Sequence, residues 1–193
     1  MGVEYELKFA ATPQILCEID GKTNGTRQVL QMQTTYYDTP TGKLSARYYT
    51  LRCRMENEKA VCTLKAPAPD GSRGEWELEC ADIHQAIPEL CKLGAPVDLM
   101  ALAEEGLLPI CGARFTRIAK TLELPGCTLE LALDQGQLLG ADKTEPLCEV
   151  EVELKSGEKA ACNAYAAQLA VAYGLQPEHR SKFRRALALY KGE

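Results

Sequence analysis

The chain has 193 residues, 46% hydrophobic and 25% charged, with a net charge of −5. That balance excludes wholesale disorder, and the acidic excess argues against a nucleic-acid binder, which needs surplus Lys and Arg to release phosphate counterions. No apolar run approaches the roughly 20 residues that span a bilayer and no secretory core follows Met1, so the sequence reads as one cytoplasmic domain over residues 1–193 without membrane partners.

The first element is a strand over Val3–Phe9. Val3, Tyr5, Leu7 and Phe9 share one face, and Glu4, Glu6 and Lys8 share the other. Thr12 is an N-cap ahead of Pro13, which opens a helix. Asp38–Gly42 is a turn. Leu51–Met55 is a strand with Arg52 and Arg54 on its polar face, and Val61–Ala66 another with Thr63 and Lys65 together. Ala66–Gly71 is a loop. Arg73–Glu79 carries a polar row of Arg73, Glu75, Glu77 and Glu79. Helices follow over Asp82–Leu93, ending at Gly94, and over Val97–Glu105. Thr128–Asp134 is a strand, and Asp134-Gln135-Gly136 reads as a turn. Cys148–Leu154 places Glu149, Glu151 and Glu153 on one face of a strand. The alanine-rich Glu158–Tyr173 is the longest helix, stopped by Gly174, and Ser181–Lys191 is the last. Strands with helices over their apolar face make an α+β fold.

Nine cysteines, an odd number at wide spacing with no Cys-x-x-Cys, argue for buried thiols in a reducing compartment and against disulfides or zinc. His84 and His179 lie far apart and read as surface residues. The sorting of charge says more. Glu4/Glu6 and Glu149/Glu151/Glu153 are carboxylate rows, whereas Arg52/Arg54, Lys65 and Arg73 are cationic rows. A solvent-facing sheet surface intersperses its signs. Segregated rows point to a ligand pair, a metal cation on the carboxylates and a polyanion on the arginines. If the sheet closes with this face inward, the charges line a tunnel.

These residues resemble the CYTH superfamily of triphosphate tunnel metalloenzymes. Glu4-Tyr5-Glu6-Leu7-Lys8 is similar to its Glu-x-Glu-x-Lys signature, and Tyr36-Tyr37-Asp38-Thr39-Pro40 to its Tyr-Tyr/Phe-Asp-Thr-Pro segment. Leu51–Arg54, Thr63–Lys65 and Arg73–Glu77 resemble its next strands, and Arg117 falls at a further tunnel arginine. Leu131–Gly136 and Glu149–Gly157 resemble the bacterial inorganic triphosphatase branch. Ser181-Lys182 matches a Ser-Lys-x-x-Arg-Gly segment, with Ala186 standing where the family usually has Gly.

The resemblance implies a closed eight-stranded antiparallel β-barrel with helices packed outside. It implies hydrolysis of the terminal phosphoryl group of a triphosphate with Mg²⁺ or Mn²⁺, Ca²⁺ being inhibitory. Glu4, Glu6, Lys8, Arg52, Arg54 and Lys65 would be the catalytic set. Lys8, Arg52, Arg54, Lys65, Arg73, Arg117 and Lys182 would hold phosphates, and Glu4, Glu6, Glu149, Glu151, Glu153 and Asp134 the metal. The partner would be a small polyanion, inorganic tripolyphosphate first, and the protein a monomer or homodimer. Alternatives are a thiamine or nucleoside triphosphatase, a class IV adenylate cyclase, or a polyphosphate-binding module without turnover. Trp76, Tyr36 and Tyr37 could stack on an organic ring but suit core packing better.

Overall fold

In the computed structural model, residues 2–3 (backbone only), 5–67 and 73–193 are described. The strands in chain order are β1 Gly2–Val3, β2 Glu6–Ala10, β3 Thr26–Asp38, β4 Thr50–Glu56, β5 Lys59–Pro67, β6 Arg73–Glu79, β7 Leu108–Leu124, β8 Cys127–Gly140, β9 Lys143–Gly157 and β10 Gln176–Pro177. The helices are α1 Pro13–Lys22, α2 Lys43–Ala46, α3 Ile83–Lys92, α4 Asp98–Ala103, α5 Lys159–Tyr173 and α6 Lys182–Lys191. All strands join one sheet in the order β1-β6-β5-β4-β3-β7-β8-β9-β2-β10, and every pairing is antiparallel. β1 and β2 lie at opposite ends of that order, yet Val3 and Glu6 are three residues apart, at most about 11 Å along the chain. The sheet therefore curls until its ends meet along the first strand. The eight strands β2–β9 form the wall, with β1 continuing β2 at the closure.

Directly opposed residues of an antiparallel pair share a face, so the register sorts the side chains. The outward face is apolar and helices cover it. α1 and α5 pack on β2, β8 and β9 through Leu16, Ile19, Leu129, Leu131, Val150, Val152 and Ala166. α3 and α4 pack on β4–β6 through Leu51, Leu64, Trp76, Ile87, Leu90 and Leu99. The small residues of α5 let it lie close to the sheet, and Gly174 in the left-handed conformation (φ 64°) ends it. Cys62, Cys127 and Cys162 are buried among these apolar groups, whereas His84 and His179 are exposed. Among the described residues no helix is long and apolar enough to cross a membrane.

α6 behaves differently. Phe183 and Ala186 pack on Met32, Phe115, Leu138 and Leu147, which lie on the same strand faces as Arg54, Arg117, Asp134 and Glu149. The long strands β7–β9 are thus charged along one stretch of their inner face and apolar along the next, where α6 lies. Gly140 permits the approach, since a Cβ there would sit 2.5 Å from the Tyr190 amide nitrogen. Ala186 is fully buried inside the helix and does not have positive φ, so its backbone does not demand glycine.

Two sequence expectations are corrected. Asp134-Gln135-Gly136 is not a turn but the middle of β8, paired on both sides, with β7 and with β9. Gly136 serves a close backbone approach, because a Cβ there would lie 2.2 Å from the Arg114 carbonyl oxygen. Of the loop expected at Ala66–Gly71, Ala66 and Pro67 belong to β5, and the rest lies outside the described residues.

The Tyr36–Pro40 segment has a local structural cause. Asp38, 2% exposed, ends β3 and accepts hydrogen bonds from the amides of Thr39 (2.7 Å), Leu44 (2.8 Å) and Ser45 (3.0 Å) and from the Ser45 hydroxyl. One carboxylate therefore organises both the turn and the start of α2. Asp38→Ala is expected to cost about 1.5–3 kcal/mol, the range for bonds to a charged acceptor, seen as a lower urea midpoint; an unchanged midpoint would contradict this role.

Candidate active site

The inner face carries the charge on two opposed arcs. β4 supplies Arg52 and Arg54, β5 supplies Lys65, and β6 supplies Arg73; Arg52 lies opposite Thr63, Thr50 opposite Lys65, and Lys65 opposite Glu75. Across the lumen, β2, β8 and β9 supply the carboxylates. Glu6, Glu153 and Glu130 form one row, Lys8 and Glu151 the next, and Asp134 and Glu149 the deepest. Arg117 on β7 lies opposite Asp134 and joins the arcs. Period-two alternation aims these side chains inward while the residues between them hold the helices.

Between the arcs is a cavity of about 190 Å³ lined by Glu6, Lys8, Arg52, Arg54, Lys65, Arg73, Arg117, Glu151, Glu153 and Lys182, together with Tyr36, Thr50, Ser181 and Phe183. All the sequence-derived phosphate ligands meet there. Glu149 and Asp134 lie behind its wall, fully buried. Glu4 lies outside the described residues.

The acidic side is densely bonded. Arg117 donates to both oxygens of Asp134 (2.8 and 2.7 Å) and to Glu151 Oε2 (2.5 Å). Lys182, presented by α6 just after its Ser181 N-cap, has its Nζ 2.8 Å from Asp134 Oδ2 and 2.7 Å from both Glu149 Oε2 and Glu151 Oε1. Arg185, one turn along α6, donates to Glu149 Oε1 and Glu145 Oε1 at 2.5 Å each. Burial alone would raise the Glu151 carboxyl, but Lys182 and Arg117 outweigh it and hold the group well below the usual carboxylate range. Burial likewise opposes the charge on Lys182, and Asp134, Glu151 and Glu149 reverse this to raise its pKa.

The cationic side leaves buried donor capacity at Arg52. Arg52 Nε is buried without a hydrogen-bond partner, and Glu75 lies 3.6 Å from Arg52 and 3.4 Å from Lys65. Burial, then the charges of Arg52 and Arg117, push the Arg54 guanidinium down to about 10. A polyanion in the cavity would relieve both costs.

One oxygen of each of Asp134, Glu149 and Glu151 lies within 4.8 Å of the others. An all-oxygen donor set suits a hard cation such as Mg²⁺ or Mn²⁺, and the Lys182 ammonium already rests on it as a stand-in cation. Glu6 and Glu153 face one another in the row beyond Glu151, so the described members of the expected metal set are spread over three rows.

Several inner residues escaped the sequence reading of the site. Glu75 was visible as part of a polar row, but only the register shows it between Arg52 and Lys65. Glu130 is 3.9 Å from Arg117. Arg185 had only its i, i+3 spacing from Lys182. Other basic residues point elsewhere: Lys120 reaches outward to Asp20 Oδ1 (2.8 Å) and the Thr23 carbonyl (2.7 Å) at the end of α1, and Arg114 and Arg184 are exposed. Trp76 and Tyr37 belong to the α3 core, and Tyr36, 3% exposed, packs on Phe183 at 5.0 Å.

The chain is 31% identical over 160 residues to an inorganic triphosphatase of Haemophilus influenzae, covering 80% of this chain but 46% of that protein's length. Among solved structures, the Hippeastrum protein HpAC1, for which a dominant triphosphatase activity is described, superposes with a TM-score of 0.66 at 21% identity over 98% of this chain and 96% of its own. The PH1819 protein of Pyrococcus horikoshii gives 0.61 at 23% identity, over 97% and 99% of the two chains. The sequence model of the CYTH domain matches residues 2–187. With that match spanning nearly the whole chain, and the charged inner face of the barrel behind it, the protein belongs to the CYTH domain family.

Proposed function

We propose that the chain, as one tunnel domain over residues 1–193, is a metal-dependent hydrolase that removes the terminal phosphoryl group of inorganic triphosphate. The observation that carries this is the pairing of a cationic arc bearing an unpartnered buried Arg52 Nε with a carboxylate arc across one cavity. The name of the Haemophilus influenzae relative supports the same substrate. Arg52, Arg54, Lys65 and Arg73 hold the phosphate oxygens with fixed donors, so charge on the transferred group and the leaving pyrophosphate meets preorganised cations. Asp134, Glu149 and Glu151, with Glu6 and Glu153 beside them, would hold Mg²⁺ or Mn²⁺, which supplies charge neutralisation and a polarised water. A module that only bound polyphosphate would not need that carboxylate arc.

A second reading, an organic triphosphate such as thiamine or nucleoside triphosphate, has one observation in its favour. A cavity of about 540 Å³ adjoins the tunnel, sharing Thr50, Arg73, Ser181 and Phe183 with it, and is lined by Tyr48, Leu108, Ile110 and Tyr190. Phosphate release from tripolyphosphate, ATP, thiamine triphosphate and pyrophosphate decides between the two. Tripolyphosphate is expected to be the fastest, with activity falling to background in EDTA. Undiminished hydrolysis in chelator would sink the metal assignment, and faster release from an organic triphosphate would sink the inorganic one.

A further inference from the structure

The ammonium of Lys182 stands at the point common to three carboxylates. It is 2.7–2.8 Å from one oxygen each of Asp134, Glu149 and Glu151, the same three groups whose oxygens cluster within 4.8 Å. Those distances suit an ammonium and exceed the roughly 2.0–2.1 Å of a magnesium–oxygen bond. The remaining oxygens of the three groups are held by guanidinium groups, Arg117 on Asp134 and Glu151 and Arg185 on Glu149. Every oxygen of the three carboxylates thus already has a cationic partner.

A divalent ion cannot simply be added to such a set. Placed among these oxygens it would lie within a few ångströms of the Lys182 ammonium, and like charges that close repel strongly at any protein dielectric. It can enter only by exchange. Arg117 is fixed by paired bonds to Asp134, and Arg185 is tied to Glu145 as well. Lys182 has a flexible four-carbon stem, and it lines the cavity into which it could swing.

We propose that Lys182 is an internal cation that holds the metal position in the metal-free protein, and that a divalent ion enters the Asp134–Glu149–Glu151 triad by displacing its ammonium into the tunnel cavity. This rests on the metal-dependent reading above. It changes the role expected of Lys182 from a standing phosphate ligand to one released by metal. Once displaced, the ammonium faces the cavity where triphosphate lies, so metal and substrate reinforce one another's binding.

The test is Mn²⁺ binding to the substrate-free protein, followed by the spin-resonance signal of free Mn²⁺. Lys182→Met should bind Mn²⁺ at least about tenfold more tightly than wild type, since a competing charge has gone, and adding Glu149→Gln should cancel most of the gain. Equal or weaker binding by Lys182→Met overturns the proposal. Because removing Lys182 leaves buried carboxylates and the variant could fail to fold, a second measurement uses wild type. Reductive methylation of Lys182 with formaldehyde and a borane reductant, read by mass spectrometry, should be slow in the metal-free protein and faster with Mn²⁺; protection unchanged by Mn²⁺ also overturns it. Metal-dependent tripolyphosphate hydrolysis with no effect of Lys182 on Mn²⁺ affinity defeats this inference alone. Tighter Mn²⁺ binding by Lys182→Met in a protein that hydrolyses no triphosphate defeats the functional reading alone.

Discussion

Arg52→Ala is expected to slow tripolyphosphate hydrolysis by roughly two to three orders of magnitude, the usual effect of removing one preorganised donor from a developing charge. The Arg52 side chain is 12% exposed, Glu75 lies 3.6 Å away, and its buried Nε has no hydrogen-bond partner. Lys65→Ala should act in the same direction, being 3.4 Å from the same Glu75. The fold should tolerate the loss of Arg52. That guanidinium, after burial itself, is the main cause that depresses Arg54, so its removal relieves repulsion inside the metal-free barrel. The measurement is a thermal-shift titration of wild type and Arg52→Ala with tripolyphosphate and Ca²⁺. Wild type should be stabilised by mass action, and the variant should need far more ligand for the same shift. If the charges merely faced solvent, the substitution would move stability by no more than about 0.5 kcal/mol and leave activity alone. Equal shifts in both proteins would therefore count against a phosphate site.

What the sequence disclosed follows from where one strand face differs chemically from the other. Leu51–Met55, Val61–Ala66 and Cys148–Leu154 alternate cleanly because their outer faces meet helices and their inner faces meet the lumen, and β4, β5 and β9 contain them. β3 and β7 give no such signal. β3 runs Thr-Arg-Gln-Val-Leu-Gln-Met-Gln, polar on both faces along its exposed first half. β7 contains Pro109 and Gly112, and its inner face changes from Arg117 to Phe115 where α6 covers it. A helix packed on the inner face of a sheet is a tertiary arrangement that no periodicity announces. The same holds for Asp134: its neighbours Gln135 and Gly136 carry turn chemistry, and pairing on both sides overrides it. Single charges on the inner strands were legible, but which carboxylate meets which cation depends on register and on α6, so Glu75 and Arg185 came only with the structure.

Asp134→Asn is expected to have the largest effect on stability. Asp134 is fully buried, accepts two bonds from Arg117 and lies 2.8 Å from the Lys182 ammonium. The amide keeps the shape and removes the charge, leaving two buried cations with one carboxylate fewer. Breaking a buried ion pair from one side typically costs about 3–5 kcal/mol, which for a chain of this size lowers the melting temperature by roughly 6–20 °C. Arg114→Ala, at an exposed position of the outer face, is the control, and should stay within about 0.5 kcal/mol. The network also sets a sign for acid. Glu151 is held below its ordinary value of 4.5 because Lys182 and Arg117 outweigh burial, so its contribution to stability is present above that pH and fades as pH falls toward its folded value. Glu151→Gln should accordingly be less stable than wild type at pH 7 and should lose less on acidification below about 4.5. Urea midpoints at pH 7 and at stepwise lower pH measure both effects. Parallel acid profiles for wild type and Glu151→Gln, or an Asp134→Asn protein as stable as wild type, would show that these buried charges do not hold the barrel and α6 together.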